Sequence, residues 1–190
     1  AFGYDNTQMG VQMSVFGFTS LLSYFPGGWM ADRFSPRKLI ASSLIATGLG
    51  GFYFASFPSY QIGIAIHAFW GVSISLMFWA AMIKATRGWA VPNQQGRAFG
   101  ILESGRGIAE LISSTIFLSI FAWLGSNATA LAQVINLFAI TNILLAAMAW
   151  LILDDEVIHA ESTQHKVGLQ DVLAVLKMPA VWLIAIVVMT

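Results

Sequence analysis

The stretch GGWMADRFSPRKLI, residues 27–40, is a short charged segment between two long apolar runs. It contains Asp32, Arg33, Arg37 and Lys38, although charged residues make up only 9% of the chain. Four charges therefore stand where one hydrophobic run ends and the next begins. This pattern predicts a turn between two membrane-spanning helices.

The composition around this turn is that of a membrane protein. Hydrophobic residues make up 57% of the 190 residues, whereas a soluble domain carries roughly a quarter of charged residues. Nine basic and nine acidic residues cancel, so net charge gives no sign of a nucleic-acid partner. The absence of Cys excludes a disulfide framework and a thiolate metal site. We expect the lipid bilayer and a small solute as partners, and no metal or cofactor.

Apolar runs cover residues 7–30, 38–57, 60–84, 97–124 and 128–153, and a sixth run starts near Pro179. Each of the five is about as long as the 20 residues that cross the hydrocarbon core as a helix. The runs lack a period of two, and long apolar runs satisfy their own backbone groups only as helices. The predicted fold class is an all-α polytopic transmembrane helix bundle.

Basic residues alternate between the turns, and this alternation predicts the orientation. The turns at 58–59 and 125–127 have no Lys or Arg. Eight of the nine basic residues lie in or beside the turns that follow the first, third and fifth runs: Arg33, Arg37, Lys38, Lys84, Arg87, Arg97, Lys166 and Lys177. The positive-inside rule assigns these turns to the cytoplasm. Residues 1–6 are then outside and 154–178 cytoplasmic, and we expect the plasma membrane of a bacterium, its inner membrane.

The chain divides into three predicted parts. Residues 1–153 form the N-terminal helical half. Residues 154–178 are a polar linker whose stripe of Leu169, Val172, Leu173 and Leu176 indicates an amphipathic helix. Residues 179–190 begin a further span. Because the chain opens without a Met and its last apolar run is short, we expect a portion of a longer polytopic protein.

The turn at 27–40 resembles the signature turn of the major facilitator superfamily of secondary transporters, G-x-L-A-D-R-x-G-R-K. The positions that match in place are Gly28, Ala31, Asp32, Arg33 and Arg37. Ser35 stands where the family usually has Gly, Pro36 displaces a basic residue, and Lys38 supplies a charge one position later. The resemblance implies a twelve-helix protein, of which this chain covers helices two to six and the start of helix seven.

In the resembled family this turn is a conformational gate that stabilises the outward-open state and does not bind substrate. The resemblance assigns this role to Gly28, Asp32, Arg33, Arg37 and Lys38. In physical terms, Asp32 is suited to accept hydrogen bonds from Arg side chains or from the N-terminus of a neighbouring helix. The alternative is that the basic residues only set topology.

The fourth span, RAFGILESGRGIAELISSTIF, carries three ionisable residues on one helical face. Glu103, Arg106 and Glu110 are spaced i, i+3, i+7. Counted from Arg97, Arg106 lies about 14 Å into the membrane at 1.5 Å per residue. Charges at that depth are costly, so they usually serve a pathway or pair with one another. Arg106 is thus a candidate anion ligand and a Glu a candidate proton carrier, or all three form a closed packing network.

His67 and Trp70 in the third span are two further candidates for the substrate or proton pathway. The family's fourth helix often reads R-x-x-Q-G-x-G, and these residues occupy the Arg and Gln positions. A His there is able to titrate near neutral pH and to take part in proton coupling. The alternative is a structural hydrogen bond across helices.

These features together predict a secondary active transporter, acting as a monomer, that moves a small polar or anionic organic solute by alternating access with proton coupling. A second class is a transporter-like membrane sensor that binds solute and signals without transport. An enzyme is not expected, because the chain has no paired-His metal motif, no Cys and no nucleophile with an evident base.

Overall fold

The structure is a computed structural model that describes residues 2–153. Its α-helices are α1 (Asn6–Arg33), α2 (Pro36–Phe54), α3 (Tyr60–Ser73), α4 (Ala80–Trp89), α5 (Gln95–Trp123) and α6 (Ala128–Ile152). A π-helical segment, Ile74–Trp79, joins α3 to α4. The described residues contain no strand, so the predicted all-α bundle is confirmed. The predicted linker, its amphipathic helix and the span from Pro179 lie outside the described residues.

Three of the five predicted spans are long and apolar enough to cross a membrane: Tyr60–Trp89, Pro92–Trp123 and Ala128–Ile152. The helices α1 and α2 are not apolar enough by this measure. Gln12, Ser20 and Ser23 are buried in α1, and Arg37 and Lys38 lie in the first turn of α2. The polarity of α1 thus lies partly on its inward face, where neighbouring helices cover it.

The departures of the turn from the family pattern have a local explanation. Ser35 caps the N-terminus of α2, because its Oγ accepts a hydrogen bond of 3.3 Å from the backbone N–H of Lys38. Pro36 occupies the first helical turn, where its fixed φ suits the helix and its missing N–H has no partner to lose. The Ser-Pro pair therefore starts α2.

Small residues form the closest helix contacts. A Cβ added to Gly48 of α2 would lie 2.9 Å from the backbone oxygen of Ala139 in α6, and one added to Gly51 would lie 3.1 Å from the Ala139 Cβ. Between α1 and α3, Ser20 Oγ donates to the oxygen of Gly71 at 3.4 Å. Small residues at interfaces let membrane helices approach closely, and these residues bring α2 against α6 and α1 against α3.

The described basic residues, Arg106 excepted, collect at one end of the bundle. There Lys84 Nζ donates to the oxygen of Ala31 at 2.7 Å, and the Arg37 guanidinium lies over the Trp150 ring. The first contact joins α4 to the C-terminal end of α1, and the second joins the N-terminus of α2 to the C-terminal end of α6. The predicted alternation of charge between turns therefore corresponds to a basic end of the bundle.

The helix α5 lies at the edge of the described bundle. It packs against α4 and α6, and none of its residues is buried. A Cβ added to Gly100, Gly105 or Gly107 would meet no atom within 4 Å, so the close helix contact that these glycines suggest is not made within residues 2–153. One face of α5 is open.

Candidate functional site

The open face of α5 carries a charge pair between Glu103 and Arg106. Arg106 donates from Nη2 at 2.6 Å and from Nε at 3.0 Å to one carboxylate oxygen of Glu103. The two side chains are 48% and 50% exposed. A guanidinium has five N–H donors, so this pairing leaves part of the Arg106 fork available to a second anion.

Glu110 does not join this pair. Its carboxylate forms no ion pair or hydrogen bond with any residue between 2 and 153, while its backbone oxygen accepts from Ser113 Oγ at 3.1 Å and Ser114 Oγ at 2.6 Å. The closed Glu-Arg-Glu network that is the packing alternative is therefore not formed among the described residues. Of the three ionisable residues, Glu103 and Arg106 are therefore the two that pair within residues 2–153.

Trp79, which precedes α4, approaches Arg106 of this pair. The centroid of its ring lies 5.3 Å from the Arg106 Cζ. The periodicity of the sequence does not connect the two, because Trp79 ends the π-helical segment, where the helical register changes. No pattern at the sequence level signals such a segment.

His67 and Trp70 belong to α3 and contact α2. His67 is buried, and its Nδ1 is 2.8 Å from the oxygen of Gly63. Trp70 donates from Nε1 to the oxygen of Thr47 at 3.2 Å. Both rings pack edge to face with Phe54. These contacts favour the structural role that the sequence left open, and neither residue contacts the Glu103–Arg106 pair.

Asp32, the acidic residue of the signature turn, is exposed. Asp32 forms no hydrogen bond or ion pair with a described residue, so a partner for its expected hydrogen bonds is not present within this part of the chain. Gly28 is exposed and has open space around its Cα. The neighbouring Gly27 makes the close contact instead: a Cβ there would lie 3.0 Å from the oxygen of Ser75.

The basic residues of the turn contact aromatic rings. Arg33 lies over Trp29 at 4.0 Å from the ring centroid, and Arg37 lies over Trp150 at 4.5 Å. The Lys38 side chain is exposed. Sequence reasoning treated Lys84 only as a topology-setting charge and missed its hydrogen bond to Ala31, since the partner is a backbone atom 53 residues away.

A cavity of about 540 Å³ lies between the C-terminal end of α4 and the start of α5. Its lining includes Trp89, Val91, Ile101 and one charged side chain, that of Arg97. None of the predicted pathway residues lines it. The charged site is thus the open face of α5, and the cavity is a separate, largely apolar recess at the basic end.

Comparison with known proteins identifies the family. The family profile of the Major Facilitator Superfamily matches residues 1–190. The inner membrane protein YqcE of Escherichia coli (strain K12) is 30% identical over 98% of the chain, and YihN of the same organism is 31% identical over 97%. The probable galactarate/D-glucarate transporter GudP of Bacillus subtilis (strain 168) is 26% identical over 78% of the chain and 32% of its own length.

The chain spans 45% of the length of YqcE and of YihN. No solved structure gives a significant match. The profile match over all 190 residues, the signature turn and the apolar helices agree with one another. This chain is therefore an integral membrane protein that belongs to the major facilitator superfamily.

Proposed function

We propose that the full-length protein is a secondary active transporter that moves a small anionic organic solute by alternating access. Membership of the superfamily supports transport rather than catalysis. The single observation that carries the choice of an anion is the half-exposed Arg106 on the open face of α5. Two relatives are named as probable galactarate/D-glucarate transporters, so sugar acids are the first solutes to test.

Arg106 is the proposed anion ligand. A guanidinium matches a carboxylate with two parallel hydrogen bonds, which fix orientation as well as adding binding energy. Holding a charge inside a membrane is costly, and a position near the middle of the bilayer is where such transporters bind their solutes. The fork of Arg106 is already directed at a carboxylate, that of Glu103.

Glu103 is the proposed internal competitor for Arg106. A solute carboxylate that binds the guanidinium takes donors that Glu103 now uses. Binding of the anion is thereby linked to release of Glu103 from Arg106, and the released Glu103 is the first proposed proton carrier. Glu110, one turn further along the same face, is the second proton carrier.

The signature turn at Asp32 is the proposed gate of the cycle, and the basic end of the bundle is the proposed cytoplasmic end. Asp32 is free to bind a group outside residues 2–153, such as a helix N-terminus of the other half of the protein. A contact of that kind would stabilise one of the two states between which the halves rock.

Uptake into proteoliposomes tests this proposal. The purified full-length protein is reconstituted, a pH gradient is imposed, and accumulation of radiolabelled D-glucarate is compared with that of the uncharged polyol galactitol. We expect concentrative uptake of D-glucarate that collapses when a protonophore is added, and no uptake of galactitol. Binding of D-glucarate without accumulation would contradict transport and favour a membrane sensor.

A further inference from the structure

The indole of Trp79 lies beside the guanidinium of Arg106, with 5.3 Å between the ring centroid and Cζ. A cation within about 6 Å of an indole centroid is attracted by the electrons of the ring, and the attraction grows when water is excluded. Arg106 belongs to α5, whereas Trp79 ends the π-helical segment before α4. The contact therefore connects the proposed anion ligand to a neighbouring helix.

The π-helical segment is held in place from the side of α1 and α2. Ser43 Oγ of α2 donates to the oxygen of Ser73 at 2.9 Å, directly before the segment. Ser75 is 2% exposed. Gly27 of α1 packs so closely that an added Cβ would lie 3.0 Å from the Ser75 oxygen and 3.1 Å from that of Leu76. The backbone that carries Trp79 is thus fixed independently of α5.

The segment also decides where Trp79 points. Each π-helical turn closes with an i→i+5 hydrogen bond, so the segment takes in more residues per turn than the α-helix before it. The residues that follow are rotated relative to the register of α3. Single π turns inside α-helices are frequent at functional sites, and here the last residue of the turn is the aromatic neighbour of Arg106.

The two partners of Arg106 use different parts of the guanidinium. Glu103 accepts hydrogen bonds from the N–H groups at the edge of the guanidinium, at Nε and Nη2. An aromatic ring attracts the cation through its π electrons and occupies none of these N–H groups. A solute that displaces Glu103 from the edge leaves the contact with Trp79 in place. An arginine held in this way loses less conformational entropy when the anion binds.

We propose that Trp79 is a positioning residue that holds the Arg106 guanidinium ready for the solute anion. The inference rests on the proposed function, because it assigns to Trp79 a role in the affinity of the same site. It predicts that the aromatic ring, and not merely the volume of the side chain, sets the concentration of anion that half-saturates uptake.

Two substitutions at one position separate these properties. Trp79→Leu removes the ring and keeps an apolar side chain, while Trp79→Phe keeps a ring. In proteoliposomes of the full-length protein, with D-glucarate as the probe, we expect Trp79→Leu to raise KM about two- to thirty-fold. Trp79→Phe should raise it less. Trp123→Leu, which removes an indole that is 84% exposed, is the matched control and should leave KM unchanged.

A purely structural role for Trp79 would give a different result. It would lower the amount of folded protein and therefore the maximal rate, with KM unchanged. An unchanged KM in Trp79→Leu, or an equal rise in Trp79→Leu and Trp79→Phe, would overturn the inference. Thermal stabilisation of each purified variant by D-glucarate gives the same comparison without transport.

Comparison of Arg106→Ala with Trp79→Leu distinguishes failure of the proposed function from failure of the positioning role of Trp79. If Arg106→Ala transports D-glucarate normally, or if the wild-type protein neither binds nor accumulates it, the proposed function falls and the role of Trp79 falls with it. If Arg106→Ala is inactive while Trp79→Leu keeps the wild-type KM, only the positioning role is removed.

Discussion

Lys84 Nζ donates a hydrogen bond of 2.7 Å to the backbone oxygen of Ala31, so a cation of α4 caps the C-terminal end of α1. The last four carbonyl groups of an α-helix have no partner within the helix and form the negative end of its dipole. Ala31 is one of these residues and is buried. The contact therefore holds the signature turn against α4.

Lys84→Met should destabilise the protein by about 1 kcal/mol, because it removes a charge-assisted hydrogen bond and a favourable interaction with the helix dipole. The expected result is a fall of a few degrees in the thermal unfolding midpoint of the purified protein in detergent. Lys38→Met is the control, since Lys38 is an exposed lysine at the same end. Equal midpoints for the two variants would show that the contact with Ala31 contributes nothing.

Asp32→Asn should act on transport and not on folding. Asp32 is exposed and has no partner among the described residues, so the unfolding midpoint should stay within about one degree of the wild-type value, as for most surface substitutions. The proposed gate requires a charged Asp32, and we expect a lower maximal rate of D-glucarate uptake with less effect on D-glucarate binding. Unchanged turnover would count against the gate.

Glu103→Gln should strengthen anion binding. It removes the carboxylate that competes for Arg106, and because half-exposed ion pairs contribute about 0.2–1 kcal/mol, the gain in affinity for D-glucarate should reach at most about fivefold. The variant should also lose the dependence of uptake on an imposed pH gradient. Glu110→Gln is the matched control for affinity, since Glu110 makes no contact with Arg106; an equal gain there would contradict the competition.

Much of the fold could be predicted from the sequence because long apolar runs indicate membrane helices. The predicted spans correspond to α1, α2, the continuous Tyr60–Trp89 unit, α5 and α6. The close contacts at Gly48 and Gly51 were predictable for a similar reason, since only small residues let helix backbones approach. Spacing also placed Glu103 one turn from Arg106, where the ion pair forms.

The details of the candidate site depend on contacts between helices, and local sequence patterns do not predict these contacts. Spacing alone put Glu110 on the same face as Arg106, but it could not tell that only Glu103 pairs with that residue. The π-helical segment that brings Trp79 to Arg106 has no recognised local signal, and the partner of Lys84 is a backbone oxygen. For His67, the resemblance to a family position suggested proton coupling, whereas its neighbours are Phe54, Trp70 and the oxygen of Gly63.

The central claim is that Arg106 binds the transported anion, and uptake of D-glucarate by Arg106→Ala tests it most directly. The variant is compared with the wild-type protein and with Arg87→Ala, which removes an exposed arginine near the end of α4, after equal amounts of each have been reconstituted. The proposal predicts that Arg106→Ala abolishes uptake while the protein still reaches the membrane, and that Arg87→Ala keeps uptake. Normal uptake by Arg106→Ala would contradict it.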